Sequence, residues 1–198
     1  MDYLKGMTDE ELAMAYVKGN NSAFDLLLEK TQSKLFAYIF FMVRDRDRAN
    51  DVFQETFVKV IAKLQEGYYT TTGKFSAWLM RIAHNVIMDS YRDRHVQNLV
   101  EPVKGYDLQN MATSDLLDSN VENHYVNEQV LSDVRKLMDV LPTVQREVVF
   151  MRFYQEMSFK EIAETTGVSI NTALGRMRYA VLNMRRMAKQ HGMALQLD

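Results

Sequence analysis

The stretch from Ser158 to Arg186, SFKEIAETTGVSINTALGRMRYAVLNMRR, limits what this chain can fold into more than any other. Its helical period divides it into two short pieces around a tight turn. Ser158 with Glu161 three residues on is a capping box, in which each side chain satisfies an orphan amide at a helix start. Ile162 and Ala163 give that helix an apolar side, and Gly167 stands where a left-handed residue would end it. Ser169 then caps a second helix, whose Ile170, Ala173, Leu174, Met177 and Val181 are expected to form one buried stripe. Asn171, Thr172, Gly175, Arg176, Arg178 and Tyr179 fall on the opposite side. A small residue in the first helix, a glycine in the turn and a polar second helix describe a helix-turn-helix. An ordinary helical hairpin with a solvated face is the competing account, and it has no need of Ala163 and Gly167 at this offset.

Charge supports nucleic-acid binding locally but not globally. From Lys160 to Lys189 six cations stand against two anions, a net of +4, whereas the whole chain carries −2. A generally basic protein is thereby excluded, and any contact with nucleic acid must run through patches. The chain has no cysteine, which rules out disulfides and a thiolate zinc site. His84, His95, His124 and His191 show no ligand spacing, so no metal or cofactor is expected. No apolar run approaches the roughly 20 residues that span a membrane. The acidic start MDYLKGMTDE does not read as a signal peptide. A reducing, cytoplasmic setting is the expectation.

With 198 residues the chain has room for one or two domains. Only two prolines and eight glycines interrupt it, and apolar residues recur at three- and four-residue spacing. The fold class expected is all-α. Thr8 to Val17 reads as a short capped helix. A longer one from about Ser22 to Val43 follows, its core stripe Phe24, Leu27, Leu28, Leu35, Ile39 and Met42. RDRDRAND reads as a charged turn, and a third helix runs from about Ala49 to Leu64 with Phe53, Phe57, Val60, Ile61 and Leu64 inward. Its outward face mixes Asp51, Glu55 and Lys59 with Val58 and Ala62. An acidic rim around a small apolar spot suits a partner with a basic rim and a hydrophobic centre; a solvated face with two tolerated aliphatics is the alternative.

EGYYTTTG, residues 66–73, breaks the helical pattern. Two tyrosines and three threonines in an exposed loop could stack on unpaired bases and bond their edges, although such a loop can equally be packed down on its neighbours. The fourth helix, from about Phe75 to Arg92, buries Phe75, Trp78, Leu79, Ile82 and Val86. Trp78 therefore reads as packing. The other side, with Met80, Arg81, His84, Met88, Tyr91 and Arg92, is expected to be an aromatic and basic surface. From residue 96 to 140 the net charge is −5, and polar residues with Pro102 and Gly105 mark a flexible linker. Helix resumes around Asn127 to Asp139 and stops at Leu141-Pro142. Thr143 to Tyr154 leads into the helix-turn-helix. The expected domains are 1–95 and 127–198, joined by a linker at 96–126. No nucleophile, base and orienting group fall together, so no enzyme is expected.

AFDLLLEK, DRANDVFQETFVKVI, GKFSAWLMRIAHNVIMDSYR, LPTVQREVVFMRFYQEMSFKEIAETTGVS and MRYAVLNMRR, in that order, resemble the successive signature segments of bacterial RNA polymerase sigma factors of the extracytoplasmic-function type. The resemblance covers nearly the whole chain and is weakest in the linker. It implies a region-two domain that binds the −10 element and core polymerase, and a region-four domain that reads −35 duplex. By the same resemblance, Arg48, Asp51, Gln54, Glu55 and Val58 would meet the β′ clamp helices. The −10 contacts implied are Tyr68, Tyr69, Thr70, Thr71, Thr72, Lys74, Arg81, His84, Asn85 and Arg92, with the loop capturing a flipped base. Ser169, Asn171, Thr172, Gly175, Arg176, Arg178 and Tyr179 would read the −35 element. The β flap and an anti-sigma factor are further implied partners, and the acidic linker would thread toward the RNA exit path. Family members often carry Lys and Ser where this chain has Leu174 and Gly175. An autonomous helix-turn-helix regulator that binds duplex unaided, or an adaptor that only sequesters another protein, would share parts of this pattern.

Overall fold

The computed structural model describes residues 2–69, 74–98 and 136–190. Eight named helices occupy those residues, and no strand is present among them: α1 Asp2–Lys5, α2 Asp9–Val17, α3 Asn21–Val43, α4 Arg46–Gln65, α5 Phe75–Asn98, α6 Thr143–Phe153, α7 Phe159–Thr166 and α8 Ile170–Gln190. Residues 136–140 are also helical. The chain forms two compact units, the first containing α1 to α5 and the second containing α6, the start of α7 and α8. The expected linker at 96–126 lies outside the described residues apart from its first three, which continue α5 to Asn98. Helix expected at 127–139 is likewise described only from residue 136.

Capping chemistry sets the N-terminal boundaries. Thr8 and Glu11 exchange hydrogen bonds of 3.2 and 2.8 Å, the capping box that starts α2. The stretch expected as a charged turn is mostly helix, because Asp45 accepts from the Arg48 amide at 3.0 Å and starts α4 at Arg46. Only Arg44 and Asp45 connect α3 to α4. Arg44 adopts the left-handed conformation, φ 59°, that closes α3.

In the first unit, α3 and α5 supply most of the buried side chains: Leu27, Leu35, Tyr38, Ile39 and Met42 from one, Phe75, Leu79, Met80 and Ile87 from the other. Each is worth roughly 1.5–3 kcal/mol on removal from water. On α4 the inward row is Ala49, Val52, Thr56, Val60 and Leu64. Phe53, Phe57 and Ile61, expected inside, are only half-buried. The two phenylalanines instead build an aromatic ridge, with Phe36 to Phe53 at 5.7 Å, Phe53 to Phe57 at 4.9 Å and Phe57 to Phe24 at 6.3 Å. Phe24, which joins that ridge, and Leu28 of α3 are also only half-buried.

The second unit closes on Leu137, Met138, Leu141, Val148, Met151, Met157 and Ile162. Along α8 the inward row is made of alanines, Ala173, Ala180 and Ala188. Small side chains let α6 approach closely, and the Asn183 amide donates to the Gln145 side chain at 2.8 Å across that contact. Ile170 and Leu174, expected in the core, are instead 47% and 43% exposed. The packed row lies to one side of the most hydrophobic one.

Candidate functional site

Three exposed surfaces collect the residues singled out by sequence. The helix-turn-helix is built as its local signals dictate. The Ser158 amide donates to Glu161 at 2.7 Å, and Ser158 Oγ accepts from the Glu161 amide at 3.2 Å. Gly167 takes φ +67°, and the Val168 amide closes the end of α7 on the Ala163 carbonyl at 3.0 Å. Ser169 Oγ accepts from the Thr172 amide at 3.1 Å and lies 2.8 Å from the Thr172 hydroxyl. These two side chains thus hold the start of α8 while remaining exposed. Asn171, Arg178 and Tyr179 are exposed, whereas Gly175 and Arg176 are half-buried. The helix carries Arg176, Arg178, Arg185, Arg186 and Lys189 and no acidic residue. A rigid, wholly cationic helix with its first turns exposed is suited to a polyanion.

The surface expected around residues 66–73 and α5 divides under folding. Tyr68 is 67% exposed, with Lys63 Nζ 5.4 Å from its ring centroid. Tyr69 is the correction. It is 7% exposed, and its ring packs 5.5 Å from Phe75 and 5.0 Å from Trp78. Burial foremost, then the nearby carboxylates of Glu10 and Asp9, pushes its hydroxyl up to about 12, and that hydroxyl has no hydrogen-bond partner among the described residues. Glu10 also accepts from the Phe75 amide at 2.8 Å, so α2 caps the start of α5. Thr70, Thr71 and Thr72 lie outside the described residues. On α5, His84 and Met80 are buried, against expectation, because this helix packs against α2, α3 and α4 and keeps only a narrow outer face. Tyr91 is half-buried and its hydroxyl donates to the Met42 carbonyl at 2.6 Å. Arg81, Asn85 and Arg92 share one exposed stripe beside exposed Lys74. Arg92 pairs with Asp89 at 3.1 Å.

On α4, Asp51, Gln54 and Glu55 are exposed and Val58 is 65% exposed, as the sequence leads one to expect, with Arg48 half-buried at their edge. Lys59 pairs with Glu55 at 2.7 Å on the surface, a contact worth little in stability. Arg48, Asp51, Val52 and Glu55 line a groove of about 290 Å³ whose other wall is Asp89, Ser90 and Asp93 of α5. Sequence reading missed that second wall; the i, i+4 spacing of Asp89 and Asp93 was its only signal. Among the described residues no group of His, Cys, Asp and Glu could hold a metal. No described helix is long and apolar enough to cross a membrane.

The comparisons with known proteins follow the same division. Residues 27–96 match the family model for sigma-70 region 2, and residues 131–177 match that for sigma-70 region 4. Together the two matches cover more than half of the chain. The chain is 27% identical over 146 residues to the ECF RNA polymerase sigma factor SigX of Bacillus subtilis, 71% of each chain being covered. It is 26% identical over 170 residues to the RNA polymerase sigma-H factor of Pseudomonas aeruginosa, covering 85% of this chain and 87% of that one. A solved structure of the sigma factor RpoE with the anti-sigma factor NepR from Bartonella quintana superposes with a TM-score of 0.64 at 23% identity, covering 84% of this chain and 96% of that one. That likeness establishes the fold, and the two region matches lie in the order that the two units require. The chain belongs to the sigma-70 family, as an RNA polymerase sigma factor of the extracytoplasmic-function type that directs promoter-specific transcription with the core enzyme.

Proposed function

We propose that the two units divide this work by surface chemistry. The exposed acidic and apolar face of α4, with Asp51, Gln54, Glu55 and Val58 beside Arg48, binds the β′ clamp helices. The first three turns of α8 read the −35 duplex through Asn171, Arg178 and Tyr179, flanked by Ser169, Thr172, Gly175 and Arg176. Tyr68, Lys74, Arg81, Asn85 and Arg92 track the opened −10 strand, and Thr70 to Thr72 contribute there as well. Domains at 1–95 and 127–198, with the acidic linker between them, carry these roles. The polymerase supplies the chemistry of RNA synthesis, and the protein itself catalyses nothing. A protein antagonist of the kind seen with RpoE, and a contact of the second unit with the β flap, fit the same scheme in the cytoplasm.

The observation that carries this reading is the contrast between two exposed helix faces. One groups carboxylates around a valine; the other belongs to a helix with five cations and no anion. Charge exchange tests it. Asp51→Arg combined with Glu55→Arg should abolish retention by immobilised core polymerase while leaving the circular dichroism native. Arg178→Ala should leave retention intact and weaken promoter binding by the holoenzyme. Full retention of the α4 double variant would refute the interface.

A further inference from the structure

The exposed side of α8 contains more than cations. Ile170 and Leu174, one turn apart, are 47% and 43% exposed, because Ala173 and Ala180 fill the contact with α6 instead. Leu174 lies next to Asn171 and four residues before Arg178, both exposed. A second helix of this motif presents its N-terminal residues to base edges in the major groove. Ile170 opens α8 and Leu174 follows in its second turn. Next to Leu174 stands Gly175, where an added Cβ would meet nothing within 4 Å. The free fold therefore does not demand a glycine there, and its bareness leaves room for an incoming surface against Leu174. The occupant must tolerate Arg178, exposed one turn on, with half-buried Arg176 beside it on a helix that carries no acid, and must offer something apolar at close range. The major groove of DNA meets both demands, since among its base edges the thymine 5-methyl is the apolar group. We propose that Leu174 is a specificity residue of the −35 contact, packing on the 5-methyl of one thymine, with Ile170 extending that contact.

The inference rests on reading α8 as the recognition helix, and the test separates the two. Holoenzyme assembled from core polymerase and the full chain selects from a duplex promoter library randomised across the −35 element. Wild type should enrich thymine at one position. Leu174→Ala should lose that preference there alone, with an unchanged melting temperature, while Leu174→Met should keep it. Replacing the selected thymine by deoxyuridine removes only the methyl group. It should lower wild-type affinity about fourfold, the worth of one buried methyl-sized group, and leave Leu174→Ala unaffected. The inference is overturned if wild type selects no thymine. It is also overturned if Leu174→Ala selects the same thymine and feels its methyl equally, which would turn the apolar pair toward a protein partner. Arg178→Ala serves as the reference: loss of affinity there with Leu174→Ala unchanged removes the methyl contact alone. Neither variant altering the selection would remove the recognition helix too.

Discussion

The two surfaces assigned to DNA came through folding differently. On α8, every polar residue marked by sequence stays outside or half-buried, and the surprise is apolar: Ile170 and Leu174 join them. On the first unit, Tyr69 and His84 turn inward and become part of the scaffold. The cause is the number of neighbours. A helix with one main partner keeps a wide free face, whereas α5 packs against three helices and keeps one stripe. Amphipathic pattern reports a direction, and it is a good guide only where a single direction is buried.

Tyr69 provides the largest test of that contrast. Tyr69→Ala removes a ring wedged against Phe75 and Trp78, and urea unfolding should show a loss of about 3–4 kcal/mol. Tyr68→Ala, at the exposed neighbour, should fall within about 0.5 kcal/mol of wild type. Equal effects would break the distinction between the two tyrosines. Next in size, Arg178→Ala on α8 should weaken holoenzyme binding to −35 duplex by about 1–3 kcal/mol if it reads a base edge, with no change in unfolding. A phosphate contact would instead lower affinity uniformly and flatten its salt dependence.

A smaller loss is expected from Glu10→Ala. It leaves the Phe75 amide uncapped, and thermal unfolding should report about 1 kcal/mol, with Glu10→Gln recovering most of it. Of similar size but opposite sign is Tyr69→Phe, which deletes a buried hydroxyl without a partner among the described residues and should stabilise by about 1 kcal/mol. It also has a pH signature. The native hydroxyl, pushed up to about 12 from an ordinary 10.0, holds its proton more tightly than the unfolded chain does. Its contribution is therefore fully present below pH 10 and is lost as pH rises toward 12. Tyr69→Phe should lack that part of the alkaline decline, measured by urea unfolding across the same pH range.

What the sequence made legible was mostly local. Both capping boxes, Thr8 with Glu11 and Ser158 with Glu161, and the left-handed Gly167 were readable because each depends on residues within one turn. The exposed acidic and apolar face of α4 was readable too, since Val58 and Ala62 interrupt a polar row. The start of α4 was not, because the run of alternating charges hid Asp45 as a cap. Nor was the rotation of α8, whose packed row is alanine while its most hydrophobic residues sit beside it. The burial of Tyr69 depends on Phe75, Trp78 and a carboxylate contributed by α2, 59 residues earlier in the case of Glu10. No local pattern contains that information.

Run-off transcription with purified core polymerase bears most directly on the central claim that these surfaces work together in a sigma factor. On a promoter fragment selected by the holoenzyme, the chain and core together should yield one discrete transcript, and neither component alone should yield any. The Asp51→Arg, Glu55→Arg variant should give none, although its duplex-reading helix is intact. A chain that protects the same −35 duplex without core polymerase, and directs no transcript with it, would contradict the account and identify an autonomous duplex-binding regulator instead.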